Sequence, residues 1–215
     1  MPGATFQGGK TYLKIIGGNL VQEVTETTEG AVLRKYELKD GTKGEKWETQ
    51  FINWTGFIQA ITFKETQFGK YCNIDLGDAV ISLGTESRYF KDFGCKVPNL
   101  DLNKEVTFHP FDFEVDGKRK TGISIKQEDE KIGNYFYDYE KKKAIHDFPE
   151  PDNCEDSDDW KMYFTKVKKF LVKYVEEEIG EKVMPTPNEA KEVIGDSVVE
   201  KISDKDGIDI KDLPF

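Results

Sequence analysis

Between residues 11 and 127, apolar and polar positions alternate in short runs broken by glycine- and aspartate-containing turns, the pattern of half-buried strands. Residues 11–16 and 20–25 flank Gly17, Gly18 and Asn19; residues 32–38 and 45–51 flank the turn from Asp40 to Gly44. Both read as hairpins, because glycine reaches positive φ without steric cost. Strands over 56–63, 71–76 and 80–83 follow, then a short helix over 87–93 and a loop over 97–103. Strands 106–115 and 120–127 enclose Asp116, Gly117, Lys118 and Arg119 as a third hairpin. Pro110 cannot donate to a ladder, so its strand should bulge there or lie at an edge. Short strands with turns at near-regular spacing predict an all-β barrel or sandwich.

The alternation also assigns faces. In 71–76, Cys72, Ile74 and Leu76 share a core face and leave Tyr71, Asn73 and Asp75 wet. In 120–127, Thr121, Ile123 and Ile125 point inward, with Lys120, Ser124 and Lys126 outside. Residues 133–148 are dense in aromatic and basic types. An acidic, proline-containing linker over 149–159 ends on Ser157 as a helix cap. Trp160, Tyr163, Phe164, Val167, Leu171, Tyr174 and Val175 then recur at the 3.6 period, predicting an amphipathic helix that ends near Gly180. Pro185 and Pro187 break the chain, and 188–203 is weakly amphipathic. The organisation expected is mainly β: a barrel with extra N-terminal hairpins over 1–148, linker and helix over 149–184, and an acidic tail over 185–215.

Charge sharpens this division. Of the net −10, residues 1–149 carry only −2 (21 Lys and Arg, 23 Asp and Glu), whereas residues 150–215 carry −8 (10 against 18). The body can therefore present a basic face despite a pI of about 4.9. Its share of the aromatics, 21 of 27, suits stacking on bases along a phosphate backbone. No apolar run approaches the roughly 20 residues of a membrane helix, and the first residues lack a signal peptide's basic and apolar regions. Cys72, Cys95 and Cys154 form no CxxC pair, so neither a disulfide framework nor a zinc knuckle is expected. A soluble protein of a reducing compartment, the cytoplasm, fits these features.

The charged run at the end of the sequence finishes on Leu213, Pro214 and Phe215. A short docking peptide would use such a tip, Phe215 in a pocket with Asp209 and Asp212 held by basic residues. The competing use is an end that folds back or is unconstrained.

With these residues in view, the chain resembles the single-stranded-DNA-binding proteins of bacteriophages. The runs 56–63, 68–71 (Phe-Gly-Lys-Tyr) and 106–113 look like the oligonucleotide-binding (OB) barrel of that group. Asp212-Leu-Pro-Phe215 is similar to the acidic Pro-Phe tip of bacterial single-strand-binding proteins. The resemblance implies an OB-fold-like barrel that coats single-stranded DNA during replication, recombination or repair, in host cytoplasm if phage-encoded. It also implies a tip that recruits replication or repair proteins and a tail that competes with DNA. The 160–179 helix replaces the Gly/Gln/Pro-rich linker of bacterial relatives, and the 11–51 hairpins are additional, so tetramer assembly is not carried over.

On this reading phosphates meet Arg34, Lys35, Lys46, Lys64 and Lys70, then Arg88, Lys91, Lys118, Arg119 and Lys120. Bases stack on Trp47, Trp54, Phe68, Tyr71, Tyr89 and Tyr135. Each ring has the core as its rival use, Trp47 and Trp54 above all; Phe68, in a glycine-containing loop, and Tyr71, on a wet face, are the strongest. No catalytic residue, cofactor or metal is expected. His109 and His146 sit in no nucleophile or metal signature, and Asp152, Glu155, Asp156, Asp158 and Asp159 read as a solvated, helix-capping run. Two rivals stand beside DNA coating: an acidic decoy that binds only protein, and a nuclease holding a metal on that acidic run.

Overall fold

The computed structural model describes residues 9–37, 41–151 and 154–180, and the chain is mainly β. β1 (Thr11–Ile16) and β2 (Asn19–Val24) make the first hairpin; β3 (Val32–Glu37) and β4 (Lys43–Phe51) make the second. β5 (Trp54–Gly56), β6 (Ala60–Thr66), β7 (Gly69–Asp75) and β8 (Ala79–Gly84) lead into α1 (Arg88–Lys96) and a 3-10 turn, Val97–Asn99. β9 (Val106–Val115) and β10 (Lys118–Gln127) form the long hairpin, followed by β11 (Glu130–Lys131), β12 (Tyr137–Asp138) and β13 (Lys143–Ala144). α2 (Ser157–Tyr174) runs on through a π-helical turn, Val175–Ile179.

The strands assemble into a seven-stranded sheet, β3-β4-β2-β1-β8-β7-β6, a four-stranded sheet, β11-β10-β9-β5, and the pair β12-β13. Both larger sheets are open, and no closed barrel forms among the described residues, which corrects the barrel expected from the sequence. The N-terminal hairpins supply the physical reason. β1 takes the edge of β8 in parallel, Leu13 opposite Ile81, and so extends the sheet where a barrel would close. The single strand expected over 56–63 is likewise split, β5 pairing with β9 and β6 with β7. Gly56 permits the crossing, since a Cβ there would sit 3.2 Å from Leu76 Cβ.

The core lies between the sheets. Leu13, Leu20, Ile74, Ile81 and Leu83 face Phe108, Ile123 and Ile125, with Phe90 and Phe93 of α1 and Val167 and Leu171 of α2 closing the sides. Each such side chain stabilises the fold by roughly 1.5–3 kcal/mol through burial. Gly18 (φ +82°) lets the β1–β2 turn touch β9; a Cβ there would lie 2.5 Å from Asp112 N. Pro110 does not interrupt β9, because β5 pairs only with Val106–Phe108 and leaves β9 an edge beyond.

Two caps differ instructively. Ser87 Oγ accepts the Phe90 N–H at 3.1 Å and starts α1. α2 starts on Asp156, not on Ser157 as expected: its carboxylate accepts the amides of Asp158 and Asp159 at 2.8 and 2.9 Å, in a reciprocal capping box. A carboxylate both satisfies the free amides and meets the positive end of the helix. Part of the aromatic-rich stretch after β11 is packing material, while Tyr137 and Tyr139 stay exposed. Phe136, 1% exposed, contacts Phe148, Phe170 and Tyr174 with ring centroids 5.1–5.3 Å away, tying α2 to the body. Asp152, Pro185, Pro187, the 188–203 stretch and the tip Asp209, Asp212, Leu213, Pro214 and Phe215 lie outside the described residues. Among the described residues no helix is long and apolar enough to cross a membrane.

Candidate nucleic-acid interface

Strand register sorts the seven-stranded sheet into two faces. Leu13, Leu20, Ile74 and Ile81 point into the core. On the opposite face, Lys14 pairs with Ser82, Ser82 with Asn73 and Asn73 with Thr62, making one row across four strands. Beside it Gly84, Tyr71 and Lys64 make a second. Tyr12, 68% exposed, stands on this same face, as do Arg34, Tyr36 and Lys46 towards the β3–β4 edge.

Two tyrosines there are paired with glycines. Tyr71 is opposite Gly84, where a Cβ would be 3.6 Å from Tyr71 Cε1; Tyr36 is opposite Gly44, where a Cβ would be 2.5 Å from the Tyr36 ring and hydroxyl. With no side chain beneath it, each ring settles across the partner strand; both are half-buried, and the Arg34 guanidinium sits 5.2 Å from the Tyr36 ring centroid. Phe68, 80% exposed, tips the β6–β7 turn at the end of the face. Thr66 Oγ1 holds that turn, accepting the Phe68 N–H at 3.1 Å and donating to the Gly69 carbonyl at 2.9 Å.

Charge on this face is unevenly spent. Arg34 grips Glu48, which is only 2% exposed, with Nε 2.7 and 2.8 Å from its two oxygens. Lys46 bonds Glu23 at 2.6 Å and so holds that carboxyl below its ordinary pKa. Both cations are therefore largely neutralised. Lys14 and Lys64 are exposed and form no ion pair among the described residues.

The remaining predicted residues scatter. Lys70 points to the opposite side, 2.9 Å from Glu176 and with its ammonium 4.7 Å over the Phe63 ring, so it clamps β7 to the end of the C-terminal helix. Trp54 is 6% exposed and edge-on to Phe51, a core residue and no platform. Trp47 is half-buried on the inner face of β4, in register with Leu33 and Val24. Tyr89 packs on the core with its hydroxyl hydrogen-bonded to the Gly18 backbone; burial and then Asp112 push its pKa up. Tyr135 is consumed by His146, stacked 4.2 Å away at 7°, and by Phe136. Lys35 pairs with Glu45 on the inner side of β3.

On the four-stranded sheet, Lys118 is exposed at the β9–β10 turn, Lys120 lies opposite Phe113, and Arg119 forks onto Asp112. Arg88 and Lys91 lie on α1, against α2. The face thus unites Lys64 and Tyr71, with Phe68 at its end, and adds Tyr12, Lys14 and Tyr36, which sequence reasoning passed over. The first two were detectable, since they fall out of phase with Leu13 and Ile15.

Among the described residues no three His, Cys, Asp or Glu side chains are grouped to hold a metal ion. Burial pushes the thiols of Cys72 and Cys95 up, the latter to about 12, which leaves them protonated and unreactive. Comparison with protein-family models, curated proteins and solved structures finds no match to this chain.

Proposed function

We propose that the protein binds single-stranded DNA through the open face of the seven-stranded sheet, coating it with little sequence preference. The observation that carries this reading is the exposed rings Tyr12 and Phe68 and the half-buried ring of Tyr71, set along one face with Lys14 and Lys64, which form no ion pair among the described residues. Rings stack on any base and lysines neutralise phosphates, so affinity needs no base-edge readout.

Chain path supports the same reading. β5 and β6 serve as two halves of one strand, and β7, β8, α1, β9 and β10 follow in the order of an OB fold, a partly open five-stranded Greek-key barrel. In that fold the face of strands 2 and 3 and the loops 1–2 and 4–5 bind oligonucleotides. Their counterparts here are β7 and β8 with Tyr71, the turn bearing Phe68, and the turn bearing Lys118 and Arg119. The N-terminal hairpins, joined through β1 to β8, are this chain's addition to that strand order, and with them the sheets stay open. Recruitment of replication or repair proteins through residues 209–215 belongs to the same proposal.

The test is fluorescence anisotropy with labelled oligo-dT. Stacking is worth about 1–3 kcal/mol per base, so Phe68→Ala and Tyr71→Ala should each weaken binding roughly 5- to 150-fold without loss of fold. Unchanged affinity in both folded variants would remove this face from the binding surface. A wild-type chain that ignores the oligonucleotide would instead favour the acidic decoy.

A further inference from the structure

Arg88 and Lys91 lie off the sheet face and border a groove of about 480 Å3 between α1 and α2. Its floor is apolar, with Phe90, Val167 and Leu171 all buried. Its rim carries Arg88, Lys91, Lys161 and Lys168 against a single lining carboxylate, Glu86, which Lys168 holds. Phe164 lines the groove, and Trp160 packs beside it on α2. Phe164 is 49% and Trp160 41% exposed, with centroids 5.9 Å apart and planes tilted by 32°. The Lys91 ammonium sits 5.2 Å from the Phe164 centroid.

We propose that this groove is a second single-strand subsite, in which bases stack on Phe164 and Trp160 while Arg88 and Lys91 take the adjoining phosphates. The inference rests on the single-strand-binding reading and extends it beyond the sheet. Charge complementarity favours a nucleic acid as the occupant: four cations rim the groove against one lining carboxylate, Glu86. The cations and the exposed rings Phe164 and Trp160 lie side by side, as phosphates and bases do. The lining hydroxyls are already engaged, Thr85 with the Lys70 carbonyl, Ser87 with the Phe90 amide and Thr165 with the Lys161 carbonyl. Stacking without base-edge readout is what remains, and it tolerates any sequence.

The experiment titrates the full chain with fluorescein-labelled oligo-dT of about 6 and about 20 nucleotides, the first near the low end of the site sizes of single OB folds and the second beyond them. Phe164→Ala should lose about fivefold or more on the longer strand and little on the shorter, which the sheet face alone fills. The pair Arg88→Gln and Lys91→Gln should do the same and lower the salt slope by about two, without touching buried packing. Tyr71→Ala should weaken both lengths. Groove variants that bind both strands like wild type, while Tyr71→Ala does not, would overturn the subsite and leave the sheet reading standing. Such variants that instead lose binding to a synthetic peptide of residues 204–215 would make the groove a protein-docking site, also against the proposal. A wild-type chain that binds neither length removes the subsite together with the reading it extends.

Discussion

Arg34 and Lys35 are neighbours on β3, yet alternation sends them to opposite faces and opposite fates. Arg34 is the counter-ion of Glu48, a carboxylate with 2% exposure, whereas Lys35 and Glu45 meet in water with side chains 75% and 55% exposed. Removing one partner of a buried pair strands a charge, so Arg34→Met should destabilise the protein by up to about 3–5 kcal/mol. Lys35→Met should cost no more than about 1 kcal/mol. Urea denaturation of both variants checks this, and equal losses would mean Glu48 does not depend on Arg34. Single-residue roles of this kind were legible only where one strand's phase decided them. The wet Tyr71 and buried Cys72 and Ile74 followed from alternation alone. Whether a cation was spent on a carboxylate did not, because Glu23 reaches Lys46 and Glu48 reaches Arg34 only through strand pairing.

Lys70 belongs to the scale of elements. Its sequence context, Phe68-Gly-Lys-Tyr71, gives it the look of a phosphate ligand, but Glu176 beyond the end of α2 captures it. Lys64, opposite Tyr71, forms no ion pair among the described residues. Lys64→Ala should therefore reduce the slope of log affinity against log salt by about one, whereas Lys70→Ala should leave both affinity and slope as in wild type. A salt-titrated binding series separates them, and the reverse result would return Lys70 to the interface. Element positions were largely readable, because hairpin turns and the 3.6-residue period of α2 are local signals. Where α2 lands was not. Its docking on Phe136 and Phe148 turned an apparently ligand-ready aromatic segment, Tyr135 included, into core. The same blindness to long-range pairing hid the β1–β8 contact that keeps the sheets open.

For the whole molecule, the charge division matters more than the total. A body near −2 can attract phosphates at short range, while the −8 of residues 150–215 opposes them. Deleting residues 204–215 should raise affinity for oligo-dT at low salt, with the gain shrinking as screening shortens the reach of the tail's charge. No gain at low salt would mean the tail does not compete with DNA. Composition alone pointed away from nucleic acid. The distribution of charge along the chain, the rings on one face and the order of the strands support the proposed binding instead.

The central claim is best met by titrating the full-length chain with oligo-dT, read by quenching of its three tryptophans, at low salt and again at severalfold higher salt. The account predicts tight binding at low salt that weakens steeply as salt rises, with little affinity for duplex of the same length. No binding at low salt, in both the full chain and the chain lacking residues 204–215, would contradict it.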